Sequence, residues 1–330
     1  MSKISLAEAN NLVTDALVRA GTLRETAAVV ARSLVGAEAS GLKGHGLSRV
    51  PTYAAQVKAG KIDGRAVPVM TRSAPGVLAI DAALGFAYPA LELAITELPA
   101  VTRSQGVAVA AIRRSHHCGA AGQPVERLAE AGLVALLFAN TPAAIAPWGG
   151  SKPVFGTNPI AFACPLPDGA PIVADLSLSK VARGNILAAK QKGEPIPEGW
   201  ALDEAGQPTT DPVAALKGTM VPAGDAKGTV LAMIVELLAA GLTNATYAAD
   251  ASSFLDANGP SPATGQLIVA FDPKIIGGAG ILTHFAELAS SIDTQPGARL
   301  PGSRRLKLRD TAEANGIEVS DETLAAIKAI

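Results

Sequence analysis

The sequence is poor in aromatic residues and cysteine, and it has no long uncharged hydrophobic run. Of its 330 residues, 4% are aromatic and two are cysteines, Cys118 and Cys164. Two cysteines cannot build a disulfide framework and suit a reducing compartment, so we expect a cytoplasmic protein. The most hydrophobic stretch, residues 229–242, contains Glu236 and is shorter than the roughly 20 apolar residues that span a bilayer. Residues 1–4 lead directly into an amphipathic helix without an apolar signal region, so no membrane partner is expected.

Clustered positive charge is also absent. The 28 Lys and Arg residues nearly balance the 29 Asp and Glu residues, which gives a net charge of −1. Because no basic tract is interleaved with aromatic residues, nucleic acid is not expected as a partner. A hydrophobic content of 48% over this length is typical of a globular protein with two or three domains and a large core.

The usual nucleotide-binding motifs are missing too. No G-x-G-x-x-G pattern follows a predicted strand, and the glycine-rich segment 277–280 lacks the spacing of a phosphate-binding P-loop. From this pattern alone, a Rossmann dinucleotide-binding domain is not expected.

Segments with helical and strand periodicity alternate along the chain, which predicts an α/β fold. Predicted helices cover residues 6–20, 22–40, 88–104, 125–131, 227–240 and 281–292, and Ser320 begins a last short one. Predicted strands cover residues 107–112, 134–139 and 266–271. Ser5 and Thr22 each begin a capping-box pattern. Residues 165–222 have the composition of long loops, and residues 300–305 form a predicted basic loop.

Two of the segments that contain the four histidines have the character of a reactive site. His45 follows a predicted helix between Gly44 and Gly46, in a segment that glycine leaves conformationally free. Arg49 and Tyr53 lie four and eight residues further on, so all three side chains share one face if a helix begins after Gly46. Such a face would combine a proton donor active near pH 7 with a guanidinium that binds carboxylates and a phenol. The sequence therefore predicts an enzyme.

The second segment contains His116, His117 and Cys118, directly after a predicted strand. Adjacent side chains of an extended segment point in opposite directions, so these three cannot easily bind one metal ion, and no metal site is expected. His116 alone is best interpreted as a supporting or surface residue. A nucleophilic role for Cys118 has little support in the pattern.

Three further segments are candidates for nucleotide binding. Asp175, Ser177 and Ser179 occupy alternate positions after an apolar run, so they lie on one face if the segment is a strand. This row of hydrogen-bonding groups could bind a ligand, or it could be the solvent-facing side of an ordinary strand. Lys227 and Gly228 begin a predicted helix, where backbone N–H groups and an ammonium could bind a pyrophosphate. Arg304 and Arg305 form a dibasic pair that, without other information, would be solvated surface.

Taken together, these segments resemble the type-2 malate/L-lactate dehydrogenase family. The resemblance extends over roughly residues 5–305, and several motifs in register are far more specific than any one of them. The matching segments, in colinear order, are residues 44–46 with Arg49, 115–119, 140–142, 147–150, 156–160, 175–184, 196–200, 209–212 and 226–228.

The resemblance implies a non-Rossmann α/β fold with a mixed, largely antiparallel sheet and flanking helices. It also implies a division into three parts. An N-terminal helical domain (1–72) is joined by the C-terminal segment 287–330. Residues 73–133 and 217–286 form the catalytic and cofactor-binding core, and residues 134–216 form a loop-rich subdomain with further cofactor contacts.

Roles for individual residues also follow from the resemblance. His45 is expected to donate the proton, with His117 beside the nicotinamide and substrate, and Arg49 and Tyr53 are expected to bind the substrate. Many members of the family have Ser where this chain has Gly44, which puts a Ser–His proton relay in doubt. The expected cofactor-binding residues are His117, Cys118, Gly119, Thr157, Asp175, Leu176, Ser177, Lys227, Gly228 and Arg304.

The function implied is NAD(P)H-dependent reduction of a small carboxylate substrate by a homodimer whose active sites lie at the subunit contact. Residues 252–254 and 259–266 most resemble reductases of the cyclic imino acids Δ1-piperideine-2-carboxylate and Δ1-pyrroline-2-carboxylate. A dehydrogenase of a 2-hydroxy acid such as malate, lactate or ureidoglycolate is the alternative, and a non-catalytic nucleotide-binding protein is a third. NADPH is the expected cofactor, with NADH as the alternative, because Arg304 and Arg305 could bind the additional phosphate.

Overall fold

A computed structural model describes all 330 residues. Its helices are α1 (Leu6–Arg19), α2 (Arg24–Ala39), α3 (Val50–Lys58), α4 (Ala87–Gln105), α5 (Gly122–Glu130), α6 (Arg183–Lys192), α7 (Pro212–Lys217), α8 (Asp225–Glu236), α9 (Pro273–Gly277), α10 (Ile281–Asp293), α11 (Ser303–Asn315) and α12 (Asp321–Lys328). Its strands are β1 (Ser2–Ile4), β2 (Val69–Ala74), β3 (Val77–Asp81), β4 (Val107–Ser115), β5 (Val134–Ala139), β6 (Ile160–Cys164), β7 (Ile172–Leu176), β8 (Ala201–Leu202), β9 (Pro208–Thr209), β10 (Thr219–Met220), β11 (Thr264–Phe271) and β12 (Ile317–Val319).

The main sheet has seven strands in the order β2-β3-β4-β11-β5-β6-β7. Only the β3–β4 pair is parallel, and every other neighbouring pair is antiparallel. Strand β11 lies at the centre and is buried along most of its length, as expected for a continuous apolar segment with neighbours on both edges. The predicted mixed, largely antiparallel sheet with flanking helices is therefore confirmed.

A separate helical layer forms around α1, α2 and α3. Helix α1 begins as predicted, with the Ser5 side chain and the Glu8 side chain capping each other's backbone N–H. The capping box predicted at Thr22 is wrong, because α2 starts one residue later, after Leu23, and has no side-chain cap. The backbone N–H of Leu23 instead donates to Gly64 O, and the Thr22 hydroxyl is buried without a partner.

The C-terminal segment packs on this helical layer. Strand β12 pairs antiparallel with β1, and Ile317, Val319, Leu324 and Ile327 share a core with α1 and α2. The predicted basic loop at residues 300–305 is only partly a loop, because α11 starts at Ser303 and includes both arginines in its first turn. This placement brings the arginines to the edge of the main sheet, where Val173 N donates to Pro301 O.

The region predicted as a loop-rich subdomain, residues 134–216, differs from expectation in its first part. Strands β5, β6 and β7 belong to the main sheet, whereas β8 and β9 lie in the later part and form a small sheet with β10, which follows this region. A small core of its own includes Ile145, Ile186, Ile196 and Met220. The loop-rich part therefore begins after Leu176, and the division into three domains stays a prediction.

A buried carboxylate connects these parts. Glu236, at the end of α8, is 4% exposed and accepts hydrogen bonds from Asn140 Nδ2, Asn158 Nδ2 and Ala248 N at 2.7–3.1 Å. Burial raises its pKa, and the three donors oppose that rise. The carboxylate thus holds the end of β5, the segment before β6 and the segment before β11 together.

Helix α8 leaves apolar side chains uncovered, which bears on the predicted homodimer. Val230, Leu231, Met233, Ile234 and Leu237 are between 41% and 53% exposed, while Ala232 and Val235 pack inward. A contiguous apolar face of this kind is typical of a subunit contact. We expect light scattering to give about twice 33.3 kDa.

Two substitutions test this expectation. The double variant Leu231→Glu/Ile234→Glu should give a monomer, because charges would be desolvated at the contact. Val213→Glu, on a 44% exposed apolar residue outside the helix, is the matched control and should stay dimeric. A monomeric wild-type protein would contradict the expectation.

Candidate active site

His45 lies in a tight turn after helix α2. The segment forms two consecutive 3-10 turns, Lys43–His45 and Leu47–Arg49, before α3 begins. Glu38, a buried residue in the last turn of α2, accepts from Leu47 N at 2.9 Å. A Cβ added to Gly46 would lie 2.2 Å from the Glu38 carboxylate, so only glycine fits here. The turn predicted from the glycines thus depends on a buried carboxylate that the pattern did not reveal.

His117 lies just beyond the end of β4, and its ring stacks on the ring of His45. The ring centroids are 5.2 Å apart and the planes differ by 22°. The Tyr53 hydroxyl lies 2.7 Å from His117 Nδ1 and 3.1 Å from the Tyr88 hydroxyl. Strand β4 therefore delivers His117 to the place where the turn after α2 delivers His45.

One nitrogen of each histidine in this pair remains open. His45 Nδ1 is buried without a partner, and His117 Nδ1 is taken by Tyr53. The Nε2 atoms of His45 and His117 make no hydrogen bond within the protein and are not enclosed. Nε2 is therefore the nitrogen of each ring that a ligand can reach. The pair can thus offer two neighbouring proton-exchanging positions to one ligand.

Arg49 lies beside this pair. Its Nε donates to Gly44 O at 2.7 Å, which returns the guanidinium towards the His45 turn. Its charge lowers the pKa of His45 and of His117. Arg49 has no carboxylate partner in the protein, so its guanidinium is available to an anionic ligand.

Tyr53 does not face the open side of the site. It is fully buried, and its hydroxyl is shared between His117 and Tyr88. Burial raises its pKa to about 12, so the phenol stays protonated. The structure brings Tyr53 to the site as predicted, but it contacts His117, and a direct contact with substrate stays a prediction.

The site histidines are neutral at physiological pH. Burial, followed by the charges of Arg49 and Arg305, lowers the pKa of His45 to about 4. Burial, followed by Lys61 and Arg49, lowers the pKa of His116 to about 3, and the pKa of His117 is also well below its usual value. An anion bound at Arg49 would offset part of this effect and make protonation of His45 easier.

His116 should make the fold sensitive to acid. It is 1% exposed, and neither ring nitrogen has a partner. Its pKa is about 3 in the folded state and 6.5 when unperturbed, so below pH 6.5 the unfolded chain binds a proton that the folded chain does not. Stability is therefore lost as pH falls, by about 2 kcal/mol between pH 7 and pH 5 for one such histidine.

Urea unfolding of the wild type and His116→Phe at pH 7 and pH 5 measures this loss. The variant should lose about 2 kcal/mol less than the wild type over this interval, because phenylalanine cannot be protonated. Equal losses in the two proteins would show that His116 does not cause the acid sensitivity.

Phe254 and Lys61 complete the walls of the site. The sequence pointed to Phe254 only as part of the segment that resembles the cyclic imino acid reductases, and it gave Lys61 no role. The Phe254 ring lies 5.0 Å from that of His116 and 5.3 Å from that of His117. The Lys61 side chain is fully buried, and its Nζ donates to Ser253 O, Asp256 O and Asn258 O at 2.7–3.1 Å. Lys61 thereby fixes the loop that holds the aromatic wall.

Cys118 and Gly119 continue from His117. Burial raises the Cys118 pKa to about 12, so the thiol stays protonated, in agreement with the weak case for a nucleophile. Gly119 has φ +71°, and an added Cβ would lie 2.7 Å from the Tyr88 hydroxyl. Glycine therefore permits the close approach of Tyr88.

Asp175 joins the ends of two elements. Its carboxylate accepts from Gly122 N, at the start of α5, at 2.9 Å, and lies 3.6 Å from Arg305 Nη1. Strand β7 ends at Leu176, which is 59% exposed, so the predicted row of groups on one strand face stops there. Ser177 instead hydrogen-bonds Ser179, at 2.6 Å between hydroxyls.

Three predicted cofactor segments meet beside this strand. Leu178 N donates to Thr157 O, and Ala223 N donates to Leu178 O, both at 2.8 Å. Gly228 packs on Ala223, because an added Cβ would lie 1.9 Å from its carbonyl oxygen. Segments far apart in sequence therefore form one continuous surface.

Free cations lie at the ends of helices near this surface. Lys227 and Arg304 are exposed and make no ion pair. Lys227 is in the first turn of α8, and Arg304 is in the first turn of α11. Unpaired cations beside helix N-termini fit the phosphates of a dinucleotide, and their role in binding one stays a prediction.

Several site residues carried no local signal in the sequence. Tyr88 begins α4 among alanines, and Lys61 lies in a short connection. Only contacts between elements distant in sequence give them a role. No group of three or more His, Cys, Asp or Glu side chains is placed to hold a metal ion. No helix has the length and apolarity needed to cross a membrane.

Comparisons with known proteins agree with this architecture. The chain matches the family described as malate/L-lactate dehydrogenase over residues 4–328. It is 51% identical to (2R)-3-sulfolactate dehydrogenase (NADP(+)) of Chromohalobacter salexigens, with 93% of this chain and 91% of that protein covered. It is 39% identical to the Δ1-pyrroline-2-carboxylate reductase of Ancylobacter novellus, with 99% and 97% covered.

Among solved structures, Δ1-piperideine-2-carboxylate reductase from Pseudomonas syringae pv. tomato superposes with a TM-score of 0.94 at 38% identity, covering 100% of this chain and 99% of that chain. The family match and the fold thus define a NAD(P)-dependent oxidoreductase of the non-Rossmann type. The chain belongs to the malate/L-lactate dehydrogenase family, as its motifs indicated.

Proposed function

We propose that this protein interconverts a small 2-hydroxy acid and its 2-keto acid with NADP(H), and that (2R)-3-sulfolactate is the first substrate to test. The observation that carries the proposal is the neutral His45–His117 pair beside the unpaired guanidinium of Arg49. The 51% identity to a (2R)-3-sulfolactate dehydrogenase supports this choice among 2-hydroxy acids.

Charge at the site also favours an anionic substrate. Arg49, which has no carboxylate partner, gives the pocket a positive potential, and Arg305, whose charge Asp175 partly offsets, adds to it. A substrate with a carboxylate and a second negative group would be stabilised there more than a monoanion. This argument supports a sulfonated 2-hydroxy acid over lactate.

The roles of the residues follow from the open nitrogen atoms. Arg49 binds the carboxylate through its two Nη groups, since its Nε donates to Gly44 O. His45 Nε2 accepts the hydroxyl proton during oxidation and returns it during reduction. A bound nicotinamide supplies or accepts the hydride. Phe254 and the loop fixed by Lys61 exclude water from one side.

Reduction of a cyclic 2-imino acid is the second candidate. Phe254, packed against His116 and His117, offers a flat apolar wall that would suit a five- or six-membered ring. The 38% identity and TM-score of 0.94 to Δ1-piperideine-2-carboxylate reductase support it.

A substrate panel tests both candidates. Oxidation of (2R)-3-sulfolactate, malate and lactate with NADP+ is compared with reduction of Δ1-pyrroline-2-carboxylate and Δ1-piperideine-2-carboxylate with NADPH. The proposal expects the highest kcat/KM for sulfolactate, and a higher value for either imine would overturn it in favour of the second candidate. Binding of NADPH without turnover of any substrate would indicate the third class, a non-catalytic nucleotide-binding protein.

Cofactor preference should depend on the first turn of α11. Arg304 is exposed and unpaired, whereas Arg305 is paired with Asp175, so Arg304 is the better candidate for the additional phosphate of NADPH. We expect Arg304→Ala to lower kcat/KM for NADPH about ten- to a hundredfold, since a hydrogen bond to a charged group contributes about 1.5–3 kcal/mol.

The efficiency with NADH should change little in this variant. Lys307→Ala, an exposed cation one turn further along α11, is the matched control. If NADPH and NADH are used equally well, and Arg304→Ala changes neither, the basic turn does not bind the phosphate.

A further inference from the structure

Strand β4 contains a β-bulge just before it reaches the site. Two of its residues, Arg113 and Arg114, together oppose one residue of β11, Gly265. Strict alternation along the strand would bury the Arg114 side chain, because Ile112 is buried two residues earlier. With the extra residue, Arg114 is exposed and Ser115 is buried in its place. The bulge therefore keeps a charge out of the core, and it sets the direction in which the chain leaves the strand.

The bulge requires an unusual backbone conformation at Arg114. Its φ is +48°, in the left-handed region that a residue with a Cβ rarely adopts. Such a conformation is unfavourable and persists only where the surrounding structure enforces it. Ser115, His116 and His117 follow directly along the chain. The place to which β4 delivers His117 therefore depends on what holds Arg114 in this conformation.

Asp81, the last residue of β3, holds it. Strand β3 runs parallel to β4 and places Asp81 directly beside Arg113. The Asp81 carboxylate accepts from Arg114 Nε, at 2.8 Å to Oδ1 and 3.0 Å to Oδ2, and it lies 3.4 Å from Arg113 Nη2. Burial opposes ionisation of this carboxyl, but the Arg114 hydrogen bond and the charges of both arginines hold its pKa below the usual value. The carboxylate is therefore charged at neutral pH and binds both arginines of the bulge.

The same carboxylate fixes the turn between β3 and α4. Its Oδ1 also accepts from Ala83 N at 2.8 Å. Leu84 N donates to Arg114 O at 2.8 Å, so this turn and the bulge hold each other. The turn leads directly into α4 and to Tyr88, whose hydroxyl belongs to the hydrogen-bonded group around His117. Two segments that reach the site thus depend on one carboxylate.

We propose that Asp81 is a positioning residue for His117: by holding Arg114 in the left-handed conformation, it sets the place of the His117 ring against His45. Asp81 acts through the backbone of the bulge and of the turn before α4. The inference rests on the proposed function, in which the stacked histidine pair faces the substrate. Loss of the carboxylate should affect kcat more than KM, because Arg49, the proposed carboxylate-binding residue, is held by a different segment, the turn after α2.

Two substitutions at Arg114 separate backbone conformation from charge. Arg114→Gly and Arg114→Val both remove the guanidinium, but glycine adopts a positive φ readily and a β-branched residue does so poorly. The kcat of Arg114→Val should therefore lie about ten- to a hundredfold below that of Arg114→Gly, since a misplacement of about 1 Å can cost a hundredfold. The KM for the substrate should be similar in both. Equal kcat values in the two folded variants would overturn the proposal.

Asp81→Ala tests the carboxylate itself. It should lower kcat by a similar factor, and adding Arg114→Gly to it should recover part of the loss, because glycine needs no partner to hold that conformation. Asp272→Ala is the matched control, since Asp272 also accepts backbone N–H bonds just after a strand but lies at the opposite end of the sheet, beside Gly106. Its kcat should equal that of the wild type. A loss in Asp81→Ala no greater than in the control, or no recovery in the double variant, would contradict the assigned role.

A readout without turnover separates this role from the proposed function. The ¹⁵N NMR signals of the His117 imidazole report its hydrogen bond to Tyr53. They should shift in Asp81→Ala and Arg114→Val and match the wild type in Arg114→Gly. A wild-type enzyme that turns over no member of the panel would overturn the proposed function, while these signals would still decide the role of Asp81. Signals that stay unchanged in both Asp81→Ala and Arg114→Val would show that Asp81 does not position His117.

Discussion

Replacing His45 by alanine should lower kcat by about 10²- to 10⁴-fold, the usual contribution of a general acid or base. The ring of His45 stacks on His117, and Nε2 is its open nitrogen. The two other proton-bearing candidates of its turn are directed elsewhere, because Lys43 pairs with Glu38 and Ser48 donates to Lys43 O, and both are exposed. The dissociation constant for NADPH, measured by fluorescence titration, should change little, since the predicted phosphate contacts lie on α8 and α11.

His284→Ala is the control for this variant, because His284 lies on the surface, hydrogen-bonded to Glu287 and away from the site. Its kcat should equal that of the wild type. The residual activity of His45→Ala would measure what His117 contributes by itself. A wild-type kcat in His45→Ala would remove His45 from the mechanism.

Replacing Arg49 should produce the second large effect. Arg49→Ala should lower kcat/KM roughly 30- to several thousandfold, because a desolvated substrate carboxylate would lose its partner. This corresponds to a loss of about 2–5 kcal/mol in transition-state stabilisation. Arg49→Lys should recover only part of this loss, since an ammonium provides a point charge in place of two parallel bonds. Steady-state kinetics on the preferred substrate measures both changes.

The same substitution has an independent consequence for the histidines. The Arg49 charge contributes to the lowered pKa of His45, His116 and His117, so Arg49→Ala should raise all three pKa values. An NMR titration would detect that rise even in an inactive variant. Arg299→Lys, in the loop before α11, is the control for kinetics. An unchanged kcat/KM in Arg49→Ala would show that the carboxylate is bound elsewhere.

The structural features that depend on local sequence patterns were predictable from the sequence. The period of the apolar residues placed α1, α4, α10, β5 and β11 within a few residues of their observed bounds. Glycines around His45 predicted the turn. The shared face predicted for His45, Arg49 and Tyr53 required a helix directly after Gly46, whereas a second 3-10 turn precedes α3 and Tyr53 contacts His117 in the interior. The family resemblance then predicted the largely antiparallel sheet, for which periodicity alone gives no strand order.

Only the tertiary structure decided how the site is completed. Tyr88 of α4 meets Tyr53 of α3, and Lys61 fixes the Phe254 loop, across separations of 35 and about 190 residues. The depressed pKa of His45 likewise comes from burial and from Arg49 and Arg305 together, which lie 4 and 260 residues away. Periodicity records which side of an element is buried, but it contains no information on which distant element covers that side. The proton chemistry of this protein depends on those contacts, whereas the strongly periodic helices and strands named above and the reactive residue types follow from the sequence itself.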